Sequence, residues 1–169
     1  HPLRHRTPVL ISGPGAKELL PLLNRCGMDV EEVGADVGAA AAIKMVRSVM
    51  VKGLGALTQE CFLAARRAGV EDRIIASLTQ SYPMIDWAKF ADYNLERMAT
   101  HGLRRAAEMR DVCETLESLG VEPALTRGTV IREQRTGEAH LREQFGGKVP
   151  QDRKAILDAL SARDREPLV

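Results

Sequence analysis

Aromatic side chains are nearly missing from this sequence, which has one Trp, two Tyr and three Phe among 169 residues. So few rings leave no platform on which successive bases could stack, which argues against nucleic acid as a partner. An excess of either charge is lacking too. Lys and Arg together number 24 and Asp and Glu 23, a net charge of +1. That balance gives no field to draw in nucleic acid or an anionic membrane surface. No run approaches the roughly 18 apolar residues that a membrane-spanning helix requires. Cysteine occurs only at Cys26, Cys61 and Cys113. An odd number so far apart builds neither a disulfide framework nor a CxxC metal motif, which fits a reduced, cytoplasmic setting. Each lies in a helix-like apolar pattern, where a buried, inert thiol is expected. His1, His5, His101 and His140 show no HExxH or other metal spacing, so no metal site is expected.

What is present is the profile of a soluble globular protein, 44% hydrophobic and 28% charged, long enough for one packed domain or a domain with part of another. The chain opens abruptly on His1-Pro2-Leu3-Arg4-His5, without a Met start or signal-peptide pattern, and reads as a stretch of something longer. Pro8 to Ser12 is a short apolar, β-branched run, punctuated by Gly13-Pro14-Gly15. Ala16 to Arg25 carries Leu19, Leu20, Leu22 and Leu23 at helical spacing, Gly27 is placed to cap it, and Met28 to Val33 reads as a second strand. This strand-helix-strand unit suits a parallel edge but is too small to make a stable sheet alone.

From about Asp36 the character changes to helix. Asp36 is a candidate N-cap, and Val37 to Ala68 runs without proline until Gly69. About 30 helical residues would extend about 45 Å. Between Val37 and Val51 only Lys44, Arg47 and Ser48 are polar, which predicts a helix buried on several sides. Gly53 and Gly55 lie mid-helix, each at up to about 1 kcal/mol relative to alanine, and point to close approach by another helix or a ligand. Further amphipathic segments are expected over Glu71 to Gln80, Asp86 to His101, Leu103 to Leu119, about Gly128 to Glu138, and Pro150 to Ala162. Gly146-Gly147 reads as a flexible joint and the charged tail as frayed.

The run from Val9 to Gly15 leading into a helix resembles the opening of a dinucleotide fingerprint, and Glu31 and Glu32 follow near the expected distance. The third glycine of that fingerprint, which lets helix and strand pack closely, would fall on Glu18. A carboxylate in the first helical turn favours the helix dipole and repels a pyrophosphate. The run is therefore read as an ordinary strand-to-helix turn.

The most informative segment is Asp36 to Ser48. Lys44 has Ala40, Ala41 and Ser48 one turn away and Arg47 at i+3. Desolvation and a neighbouring like charge both lower a lysine pKa, and a lysine so tuned serves as a general acid/base near neutrality. Small residues before it leave room for a substrate against the helix, and Ser48 can hydrogen-bond beside it. A lysine snorkelling from an apolar helix to solvent accounts for the same residues, and spacing alone leaves both readings open.

Gly38 through Ser48 resembles the catalytic helix motif of the β-hydroxyacid dehydrogenases: a glycine, small residues, then Lys with Asn four residues later. Lys44 matches the catalytic lysine, and Ser48 stands where that family usually has Asn. Ala41 to Ser48, with Lys52 to Leu57, Glu60, and His101 to Met109, is similar to a divergent bacterial branch of 6-phosphogluconate-dehydrogenase-like oxidoreductases with an uncharacterised C-terminal domain. The resemblance spans roughly residues 8 to 135. It implies a mainly α fold, a helical 6-phosphogluconate-dehydrogenase-C-terminal-like domain preceded by a strand-helix-strand remnant of a Rossmann domain. Residues 1–35 would end an NAD(P)-binding domain, and 36–169 would form the helical substrate and dimerisation domain. Lys44 would be the general acid/base, and Gly38 and Ser48 would bind the substrate. NAD or NADP would be held mainly by a domain outside this chain, and the substrate would be a small hydroxyacid-like molecule. A homodimer through the helical domain would be the assembly, and the 169 residues alone would be inactive. The Lys-Asp-Leu motif of the main family, which approaches the cofactor, has no clean counterpart here. His101, Arg104 and Arg105 occupy that region, and a solvated helix face is the competing account of the two arginines. A non-catalytic helical dimerisation module is the alternative for the whole chain.

Overall fold

The structure, a computed structural model, describes residues 6–163. The expectations for His1 to His5 and for the frayed tail beyond Arg163 lie outside the described residues. Contacts divide the chain within one long helix, into a first unit ending at Arg47 and a second beginning at Ser48.

In the first unit, β1 (Val9–Ile11) and β2 (Val30–Glu32) pair in parallel around α1 (Ala16–Arg25). Val9 stands opposite Val30 and Ile11 opposite Glu32, the arrangement a helical crossover imposes. Gly27 adopts φ 74° and closes α1. Its amide donates to Asn24 O at 2.9 Å and the Met28 amide to Leu23 O at 3.2 Å, so the last carbonyls of the helix are satisfied in a Schellman arrangement.

The long helix, α2 (Ala39–Ala68), starts later than the sequence suggests. Gly38 at φ 93° lies outside right-handed helical space, so Asp36 is displaced from the capping position. The cap comes instead from the end of β1: Ser12 Oγ accepts from the Ala40 amide at 3.1 Å. At the other end Gly69, φ 69°, stops the helix as expected. The first half of α2 is not buried on several sides. Ile43 and Val46 in the first unit and Met50, Val51, Leu54 and Leu57 in the second are all exposed.

The second unit continues with α3 (Glu71–Ser81), α4 (Trp87–Ser118), α5 (Ala124–Glu138), α6 (Leu141–Gln144) and α7 (Arg153–Arg163). Asp86 Oδ1 accepts from the Lys89 amide at 3.1 Å and caps α4. The two helices expected on either side of Gly102 are one. Glycine is tolerated within α4 because α5 crosses there: a Cβ on Gly102 would lie 2.5 Å from Glu133 O and 2.7 Å from Gly137 N. The α6 turn was not anticipated. Gly146 and Gly147, both at positive φ, shape the path from α6 towards α7. The core gathers Phe62 and Leu63 of α2, Ala91, Leu95 and Ala99 of α4, and Leu141, Ile156 and Leu157 from the end of the chain. Arg153 clamps this end by donating from Nε to Glu71 Oε1 at 2.7 Å and from Nη1 to Asp92 Oδ1 at 3.2 Å.

The cysteines depart from expectation. Cys26 is exposed, while Cys61 and Cys113 are half-buried. Burial pushes the Cys61 and Cys113 thiols above their ordinary pKa, which keeps them from ionising. Among the described residues no helix is long and apolar enough to cross a membrane.

Candidate functional site

The residues singled out by sequence fall on both sides of the division in α2. Gly38 and Lys44 lie in the first unit and Ser48 opens the second. Gly38 supplies the positive-φ corner from which α2 starts, and Lys44 follows on an exposed stretch of that helix.

Ser48 leads into a line of polar groups inside the second unit. Lys52, one turn on, is buried; its ammonium donates to Ser48 Oγ at 3.3 Å and pairs with Glu108 Oε2 of α4 at 2.9 Å. Glu108 also accepts from Arg104. Burial alone would raise the Glu108 carboxyl, but the hydrogen bond and charge of Lys52, with the charge of Arg104, outweigh it and hold the group below its usual range. Deeper still, Arg105 Nε donates to Glu133 Oε1 at 2.7 Å, with the Glu133 side chain 0% and the Arg105 side chain 9% exposed. Burial dominates at Glu133 and raises its pKa, against the lowering effect of the Arg105 charge and hydrogen bond. Gly55 makes room for the pair, since a Cβ there would lie 3.2 Å from Arg105 Nη2 and 3.3 Å from Asn94 Oδ1. Gln59 and Thr136 extend the polar line by a buried hydrogen bond of 2.8 Å.

Arg105 is thus no part of a solvated face, whereas Arg104 is largely exposed. Lys52, Glu108 and Glu133 were missed by motif reading. Their trace in the sequence is polar residues at inward helical spacing, Lys52 and Gln59 on α2 with Gly55 between them, and Thr129, Glu133 and Thr136 on α5.

The Gly13-Pro14-Gly15 turn does not fit a dinucleotide. The Gly13 amide donates to Gly34 O and the Ala16 amide to Gly13 O. Pro14 has no amide hydrogen, and Glu18 occupies the first turn of α1. A pyrophosphate needs several converging N–H groups and no facing carboxylate. Among the described residues no three His, Cys, Asp or Glu side chains group so as to hold a metal ion.

Residues 65–135, from the last turn of α2 through most of α5, match the family described as a domain of unknown function (DUF1932). Over 94% of its length the chain is similar to the structure of a conserved hypothetical protein from Sinorhizobium meliloti 1021, at 36% identity and a TM-score of 0.82, and it covers 52% of that protein. A second solved structure, the conserved protein MTH1747 of unknown function, is described as having structural similarity with 3-hydroxyacid dehydrogenases. The likeness there is 30% identity and a TM-score of 0.70, over 83% of this chain and 54% of that one. An uncharacterised 28.5 kDa protein of Methanothermus fervidus is 27% identical over 130 residues, 75% of this chain and 50% of its own. The chain spans about half the length of the relatives it matches. The expected fold holds: a short strand-helix-strand start followed by helices, resembling the helical C-terminal domain of 3-hydroxyacid dehydrogenases.

Proposed function

We propose that this chain is the helical half of an NAD(P)-dependent oxidoreductase acting on a small hydroxyacid-like substrate. The observation that carries the reading is the likeness to MTH1747, whose fold is described as similar to that of 3-hydroxyacid dehydrogenases. Residues 1–35 would close a Rossmann-type domain and residues 36–169 form the helical domain. The cofactor would be held elsewhere in the protein, because the glycine turn of this chain has few amides to offer it. Lys44 would exchange a proton with the substrate hydroxyl or carbonyl oxygen as general acid/base. Lys44 is exposed in this chain. Gly38 and Ser48 would orient the substrate, with Lys52 donating to Ser48 Oγ.

In the longer protein carrying both halves, Lys44→Ala is expected to lower kcat by at least about 100-fold with little change in cofactor affinity. An unchanged kcat removes Lys44 from the mechanism. The 169 residues alone are expected to show no saturable NADH or NADPH binding by fluorescence titration; clear saturation would place the cofactor site in this chain instead.

Assembly as a homodimer through the helical domain is part of the same proposal. Met50, Leu54 and Leu57, at i, i+4 and i+7 on α2, form an apolar stripe that is 63%, 39% and 66% exposed and lies opposite the face carrying Lys52, Gly55 and Gln59. Such a stripe also supports the rival reading of a non-catalytic dimerisation module. The rival predicts that Lys44→Ala leaves activity of the longer protein untouched while Leu57→Glu dissociates it.

A further inference from the structure

Next to the crossing of α4 and α5 lies a cleft of about 360 Å³. Its charged and titratable lining is His101 and Arg104 from α4, His140 at the start of α6, and Arg142 and Glu143 within α6. Gly102 and Gly137 belong to the lining as well, and the close backbone approach between them brings α4 within reach of α6. His140 sits at φ 49°, ψ 36°, a conformation sparsely populated by residues with a Cβ, and through it the chain turns from α5 into α6. Arg142 Nε donates to Gly147 O at 2.8 Å, which fastens the guanidinium. Among the described residues neither of its Nη groups has a hydrogen bond or ion pair. Arg104 is engaged on one side by Glu108, and Glu143 is a largely exposed carboxylate 3.8 Å from His140 Nδ1. The lining thus carries two guanidiniums from two separate elements and one carboxylate, Glu143, with Glu108 of α4 engaging Arg104 from outside it. Burial lowers the His101 pKa, and Arg97, Arg104 and Arg105 lower it further against the opposing charge of Glu96, as expected where the local potential is positive.

We propose that this cleft binds the phosphate group of a small soluble phosphate monoester, held by Arg142 and Arg104 with the imidazoles of His101 and His140 as further hydrogen-bonding groups. Donors carried by two separate elements suit a tetrahedral dianion better than a planar carboxylate, which a single guanidinium fork satisfies. A concavity of this size also has room for a small organic group beyond the phosphate. The site is independent of the dehydrogenase reading, since none of its groups is invoked there.

The test follows the four imidazoles by NMR in the 169-residue chain, at constant ionic strength, while inorganic phosphate, glycerol phosphate or acetate is added. Saturable shifts of His101 and His140 are expected, with a rise in the His101 titration midpoint, because a bound dianion favours the imidazolium. Glycerol phosphate should half-saturate at lower concentration than inorganic phosphate, and acetate should not saturate. Arg142→Gln, an exposed position whose loss leaves the core intact, should weaken glycerol phosphate binding about tenfold or more, while Arg110→Gln, outside the cleft, should not. Linear shifts for all three anions would overturn the proposal, as would equal saturation by acetate or a response indifferent to Arg142→Gln. Saturation by inorganic phosphate with glycerol phosphate excluded would overturn the monoester.

Discussion

At the scale of single residues the buried polar line dominates the consequences of mutation. Glu133 and Arg105 are each other's partner in a region closed to water. Removing one leaves the other as an unpaired buried charge, which typically costs about 3–5 kcal/mol, whereas replacing both with apolar groups of similar volume is often neutral. Arg105→Met alone is therefore expected to lose about 3–5 kcal/mol in urea unfolding, and Arg105→Met with Glu133→Leu to recover most of it. Equal losses in the single and double variants would mean that the pair contributes through packing alone. Glu108 gives a pH dependence of definite sign. Its folded pKa is depressed, so its contribution is present above the ordinary carboxylate value, about 4.3, and is lost as pH falls through the lower folded value. Glu108→Gln should thus destabilise by about 1 kcal/mol at pH 7, a modest figure because the carboxylate is one-third exposed. The difference from the parent should shrink towards pH 3. A difference that grows on acidification would reverse the assigned role of Lys52.

At the scale of elements, three glycines in helices separate close approach from open space. Gly102 and Gly137 meet backbone across the α4–α5 crossing, with added Cβ atoms at 2.5 Å from Glu133 O and Leu103 N respectively. Backbone cannot yield as a flexible side chain does, so Gly102→Ala and Gly137→Ala are each expected to cost about 3 kcal/mol or more in thermal or urea unfolding. Gly128, within α5, has nothing within 4 Å of such a Cβ. Gly128→Ala should therefore stabilise by about 0.5–1 kcal/mol through helix propensity and a less flexible unfolded chain; destabilisation there would contradict the open space. The same positions mark where the sequence was legible. Helix termini were readable where Gly27 and Gly69 take left-handed conformations, since these stops are local chemistry. The start of α2 was not, because its cap is Ser12, 28 residues away, and a side chain borrowed across a fold leaves no local signature. The continuity of α4 was hidden for a similar reason. Gly102 looks like a break until Gly137 is beside it, and only tertiary contact distinguishes a packing glycine from a stop. Exposure along α2 was misread because apolar composition reports what a helix is able to bury, not what covers it in this chain. Of the candidate site, Lys44 and Ser48 were singled out through the resemblance of Gly38 to Ser48 to a known helix motif, since spacing left a snorkelling lysine open, and the Lys52–Glu108 contact, which joins two helices 56 positions apart in sequence, was legible only as inward polar periodicity.

At the scale of the molecule the two units differ in what holds them. The second has a continuous apolar core of Phe62, Leu95, Leu141, Ile156 and Leu157 closed by ion pairs at Arg153. The first rests on two three-residue parallel strands whose residues are at most half-buried and on one amphipathic helix with Ala16 as its buried residue. Parallel strands are normally covered on both faces, and a two-stranded sheet is marginal in water. Stability should accordingly be uneven along the chain. Native-state hydrogen exchange is expected to show the amides of Val9–Ile11 and Val30–Glu32 opening at least about 2 kcal/mol more easily than those at the centre of α4 around Leu95 and Met98. If residues 1–35 do close a Rossmann-type sheet, the same strand amides should gain protection in the longer protein, where further strands would satisfy their open edges, while the α4 amides change little. Strand amides already as protected as those of α4 in the 169-residue chain would show that the first unit needs no further sheet, and would remove the physical ground for assigning it to a larger nucleotide-binding domain.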